Sequence, residues 1–169
     1  TSDNFQKFLA AASNGKWEST GKAFPNAVGT GANGSSGVAQ EVKATEGAIT
    51  YVEAGFADKK ANIDFGNGPV ELTNETVGKV LDDLTFKTDG HNMVVDSDKL
   101  FKTNTAGAYP LVLTTYEIVC SAGYDKETSN MVKDFLNVAL DHQDQELADE
   151  GFIPVTGAHA DRLREAINA

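Results

Sequence analysis

One cysteine, four prolines and a single tryptophan stand among 169 residues, and the scarcities narrow what the chain can be. A lone Cys120 cannot close an intramolecular disulfide, so no disulfide framework staples this fold. It sits in the apolar run Tyr116–Glu117–Ile118–Val119–Cys120, where burial is expected over reactivity. No stretch approaches the roughly 18 uninterrupted apolar residues that a helical membrane span needs. Basic residues are few: 14 Lys and Arg against 25 Asp and Glu give a net charge of -11, and no five consecutive residues hold more than two of them. A polyphosphate backbone demands a clustered basic footprint, so nucleic-acid binding is not expected.

Catalytic and metal signatures are also missing. His91, His142 and His159 lie far apart, without i,i+4 pairing or cysteine companions, and read as solvated surface histidines. No G-x-S-x-G elbow occurs. Asp82–Asp83 and the run Asp141–Glu146 supply carboxylates that point in different directions on a helix, so both read as solvated faces. No catalytic residue, metal ligand or cofactor is assigned.

What remains is globular composition: 40% hydrophobic, 23% charged and 16 glycines suit one loop-rich α/β domain or two small lobes. A chain of this size should bury roughly 70% of its unfolded surface. Thr1–Ser2–Asp3 offers N-cap side chains, and Phe5, Phe8, Leu9 and Ala12 repeat at helical spacing until Asn14–Gly15. Those first residues match neither a signal peptide nor an initiator Met, so a processed or truncated chain is expected. Ser35 or Ser36 is expected to cap a short helix through Val38, Ala39 and Val42, and Ala48–Val52 reads as a strand. Short extended pieces flank Gly66–Asn67–Gly68–Pro69, and Thr73 or Asn74 caps a helix carrying Val77, Val80, Leu81 and Leu84. Met93–Val95 is a weak strand, whereas Leu111–Cys120 carries the sharpest β pattern and is expected to be a buried strand. Met131, Phe135, Val138 and Ala139 mark a later helical stripe, and Leu163 and Ile167 a last one.

Two features invite chemistry. Gly29, Gly31 and Gly34 fit G-x-G-x-x-G, the loop that brings backbone close to a pyrophosphate. The preceding Ala23–Phe24–Pro25–Asn26–Ala27 has a proline and little β character, and Ser35 stands where a P-loop lysine belongs. A plain loop is the reading, in which a β-branched residue at Gly31 is expected to harm folding if the turn takes a positive φ there. A nucleotide- or dinucleotide-using enzyme working through Gly29–Gly34 is the alternative. The second feature is Thr1, where a hydroxyl, the adjacent Ser2 and the unpaired amides of a first helical turn can cradle an oxyanion. On the residues alone an ordinary N-cap is the reading there, and the cradle is the alternative.

Taken in order, Thr1–Ser2–Asp3–Asn4–Phe5, Val28–Ala39 with its glycines, Glu46–Glu53 and Tyr109–Tyr116 resemble the phosphate-binding protein of the high-affinity phosphate ABC transporter, the PstS family. Tyr116–Ser121 is most similar to the actinobacterial branch. The resemblance covers the second half of a family member only. It implies a partial type II periplasmic-binding-protein fold of α/β class, with 1–108 in the second lobe and 109–169 crossing back to the first. It further implies extracytoplasmic binding of inorganic phosphate for delivery to an ABC permease, with no reaction catalysed, and a lipid anchor on the full-length protein. By similarity Thr1 is the retained phosphate ligand and Ser2 extends the same helix N-terminus. The other ligands belong to the missing N-terminal half, so this chain is expected to bind phosphate weakly or not at all. Its unpaired strand is expected to promote self-association.

Overall fold

A computed structural model describes residues 1–27 and 29–169. Val28, at the head of the glycine loop, lies outside the described residues. Helix α1 spans Ser2–Ala12 and ends through Ser13 into Asn14 at φ 52 and Gly15 at φ 82, the left-handed turn expected of Asn–Gly. Helix α2 spans Gly34–Ala44, and a 3-10 turn occupies Ala54–Phe56. Its N-cap is Asn33, without a side-chain cap bond, so neither Ser35 nor Ser36 caps it. Ser35 lies inside the first turn and donates its hydroxyl to Glu53 at 2.7 Å.

The Gly66–Pro69 signal folds as expected. Strands β1 (Ile63–Asp64) and β2 (Pro69–Val70) pair antiparallel, Ile63 opposite Val70, and the Asp64 carboxylate accepts from the amides of Gly66 and Gly68. Helix α3, Asn74–Asp82, starts at a capping box in which the hydroxyls of Thr73 and Thr76 each accept the other's backbone N–H. Its apolar face carries Val77, Val80 and Leu81, all buried.

The short helices α4 (Ser97–Phe101) and α6 (Gln145–Asp149) sit where the sequence reads as polar connection. Each is one turn held by an aspartate cap, Asp96 on the Lys99 amide and Asp144 on the amides of Glu146 and Leu147. Helix α5, Lys126–Asp141, is capped by Asp125, and α7, Gly157–Asn168, packs against both α5 and α3.

The core gathers Phe8 of α1, the buried face of α3, Leu84, Val95, Leu100 and Phe101 of α4, and Ala108 with Tyr109. Phe8 meets the Phe101 ring edge-on at 5.7 Å. Gly55 and Gly151 bring the 3-10 turn against the end of α6, where a Cβ on Gly55 would stand 2.5 Å from the Glu150 carbonyl.

Four segments turn on one physical point, that apolar pattern becomes core or ladder only where a partner surface meets it. Leu111–Cys120 forms no ladder: among the described residues no strand pairs with it, and Leu113, Ile118 and Cys120 are exposed, Ile118 at 93%. Ala48–Val52 is likewise irregular and Ile49 is open to solvent. On α5, Met131, Phe135 and Val138 face outward, while Val132, Leu136 and Leu140 occupy the half-buried side. Met93–Val95 contributes only an isolated bridge, Val95 opposite Phe86. The surface confirms the shortfall: 11574 Å² stays accessible, against roughly 8000 Å² for a monomeric fold of this mass, so about 55% of the unfolded surface is buried instead of about 70%.

Candidate functional site

Thr1 and Ser2 do meet at a helix N-terminus. Thr1 is the N-cap of α1, and its carbonyl accepts the first helical hydrogen bond, from the Phe5 amide at 2.9 Å. The N–H groups of Ser2, Asp3 and Asn4 precede that bond and have no intrahelical acceptor, so three donors point out of the helix end along the positive pole of its dipole. The Thr1 hydroxyl makes no cap bond and is exposed, which leaves it free for a ligand oxygen.

Ser2 has a partner the sequence does not disclose. Its Oγ lies 2.7 Å from the Tyr51 hydroxyl, across 49 residues. Tyr51 is held by stacking: its ring centroid is 4.3 Å from that of Phe5 and 5.5 Å from Phe24, which in turn lies 5.2 Å from Trp17. The segment carrying Trp17 and Phe24 is tied to α1 by Gln6. That side chain is wholly buried, donating Nε2 to the carbonyls of Gly21 at 2.6 Å and Ala23 at 3.0 Å while its Oε1 has no partner. Asn4 reaches in the other direction, donating to the Val112 carbonyl at 2.9 Å. The first turn of α1 is therefore the meeting point of segments 21–24, 51 and 112.

Asp3 places a carboxylate in the same first turn as this donor set. It forms an ion pair with Lys7 at 2.6 Å and accepts from the Gly21 amide at 3.1 Å. The Lys7 hydrogen bond holds the Asp3 carboxyl below the usual carboxylate range, with the Gly21 amide adding to the effect. Its charge is thus directed along the helix side and partly neutralised there.

The glycine loop runs into the N-terminus of α2, whose first-turn amides have no side-chain cap either. Positive φ falls at Gly29 (78) and Gly34 (69), not at Gly31, around which a Cβ would find open space. No strand precedes the loop among the described residues, so the strand–loop–helix context of a dinucleotide fingerprint is not formed. Among the described residues no group of three or more metal-ligating side chains converges. A cleft of about 180 Å³ opens between the β1–β2 hairpin and residues 103–108, lined by Asn67, Thr103 and Thr105 among others and by no charged side chain. Neither Thr1 nor Ser2 reaches it. His159 departs from its solvated reading. It is buried, its ring stacks on Phe86 at 6.1 Å and its Nδ1 has no partner, and burial followed by the nearby Arg162 charge lowers its pKa.

The phosphate-binding protein PstS3 of Mycobacterium bovis (strain BCG / Pasteur 1173P2) is 40% identical over 176 aligned residues, which take in 100% of this chain and 48% of the relative. PstS 3 of Mycobacterium leprae is 39% identical and PstS2 of Mycobacterium bovis 38%, over the same shares. The chain therefore spans about half the length of the curated relatives it matches. No solved structure matches it. The family model described as PBP superfamily domain matches residues 1–143, most of the chain, with α1 and its open first turn at the very start of the match. A helix-rich α/β chain matched over that span belongs to the PBP superfamily, and its architecture is part of a type II periplasmic-binding fold.

Proposed function

We propose that this chain is the portion of an extracytoplasmic phosphate receptor that presents one wall of the anion site, on a protein that hands inorganic phosphate to an ABC permease and catalyses no reaction. Thr1 and Ser2 contribute the hydroxyls of that wall, and the first-turn amides of α1 its N–H donors. Residues 1–108 belong to one lobe, and 109–169 return to the other, which the N-terminal half of the receptor builds. The full-length receptor is lipid-anchored outside the membrane.

The observation that carries this reading is the convergence of free first-turn donors at α1 in a chain 40% identical throughout to a phosphate-binding protein. Hydroxyl and amide donors suit an acidic receptor. A dehydrated anion is held by oriented dipoles at short range, so a net charge of -11 slows encounter without preventing recognition. One wall, however, cannot offset the desolvation of a divalent anion. Calorimetry with inorganic phosphate should accordingly give a dissociation constant on the order of 1 mM, and NMR amide shifts centred on Ser2, Asp3 and Asn4. A micromolar constant, or shifts centred elsewhere, would relocate the site.

A further inference from the structure

We infer that Tyr51 is the positioning residue of the phosphate site, its hydroxyl aiming the Ser2 hydroxyl and its stacked ring coupling that hydroxyl to Trp17. The inference rests on the reading of the α1 N-terminus as the anion wall, and it adds a residue and a reporter to it.

The chemistry follows from counting protons. Two hydroxyls 2.7 Å apart share one hydrogen bond, which consumes one O–H. Whichever of Ser2 and Tyr51 donates, one O–H remains for a ligand oxygen and one oxygen is already engaged. A serine alone rotates among three staggered positions, and fixing it on binding has an entropic cost. With Tyr51 in place that rotor is restricted before the anion arrives. Tyr51 can do this because its own ring packs against both Phe5, on the same helix as Ser2, and Phe24, whose rings lie 6.3 Å from each other. Phe24 carries the contact on to Trp17, at 5.2 Å and 37° between ring planes. The chain has a single tryptophan, so its emission reports on this stack alone.

The test is a titration of the 1–169 chain with inorganic phosphate at constant ionic strength, followed through Trp17 emission and repeated by calorimetry, in the parent, Ser2→Ala, Tyr51→Phe and the double variant. Tyr51→Phe keeps the ring and removes only the hydroxyl. We expect a saturable emission change in the parent and a three- to tenfold weaker dissociation constant in each single variant. The double variant should be no weaker than the poorer single one, because both substitutions break the same bond. Melting temperatures should stay within a few degrees. A parent that binds while Tyr51→Phe binds equally well overturns the positioning role and leaves the site reading standing. A Tyr51→Phe variant that melts early with unchanged affinity shows a merely structural hydroxyl and overturns it too. Full additivity of the two losses does the same. A parent with no saturable response by either method overturns the site reading, and this inference with it.

Discussion

At the scale of single residues, one buried imidazole and three glycines carry the sharpest consequences. His159 is buried with an orphan Nδ1, its ring on Phe86 and the Arg162 guanidinium 5.3 Å above the same ring. Its pKa is lowered, chiefly by burial, so the unfolded chain takes up a proton where the folded one resists it. The stability tied to neutral His159 is therefore complete above the ordinary histidine pKa of about 6.5 and is lost as pH falls through that value toward the depressed one. Melting curves recorded at falling pH should show that loss, and His159→Leu should flatten it. Gly55 and Gly151 make the second case. A Cβ on either meets the other's backbone, and Gly151 also holds φ 90, so Gly151→Ala should cost at least the roughly 1–3 kcal/mol of a strained backbone position. Gly31→Val, by contrast, should leave the melting temperature nearly unchanged, since neither φ nor space opposes a side chain there. The glycine pattern pointed to the loop but not to which glycine bears the left-handed turn. Spacing carries no φ.

Elements divide by whether their signal is local. α1, α3, α7 and the hairpin were legible because caps, turn residues and apolar stripes lie within a few residues of one another; Thr73–Thr76 and Asp64–Gly68 are examples. Thr73→Ala should accordingly lower stability by about 1 kcal/mol, measured by denaturant midpoint. α4 and α6 carry no periodic signal because each is a single turn, and only the Asp96 and Asp144 caps mark them. The Leu111–Cys120 pattern failed for the opposite reason: β-branched composition states a preference that only a neighbouring strand can satisfy. The proposed anion wall shows both behaviours. Thr1 and Ser2 could be read from the helix start. Tyr51 could not, as its bond to Ser2 spans 49 residues and exists only once Phe5 and Phe24 stack around it. A paired substitution separates legible core from unpartnered pattern: Leu81→Ala, in the core, should cost about 2–5 kcal/mol, whereas Ile118→Ser should cost less than about 0.5 kcal/mol.

For the whole molecule the excess surface decides behaviour in solution. Leu113, Ile118 and Val119 line one exposed segment, and Met131, Phe135 and Val138 an exposed side of α5, on a chain that exposes roughly 3500 Å² more than its mass requires. Apolar area of this extent favours association, and backbone donors and acceptors without ladder partners between 113 and 119 offer an edge on which a second strand can pair. Opposing it is a net charge of -11, which repels copies at long range. Salt separates the two contributions. The screening length shrinks from about 10 Å at 0.1 M to about 3 Å at 1 M, so repulsion fades while the driving force for burying apolar surface does not. Self-association, followed by light scattering, should therefore grow with ionic strength, and Ile118→Ser combined with Phe135→Ser should suppress it without lowering the melting temperature of the monomer. Strictly monomeric scattering at every salt concentration, together with one cooperative melting transition, would mean that the exposed segment and the α5 face find partners within the chain itself.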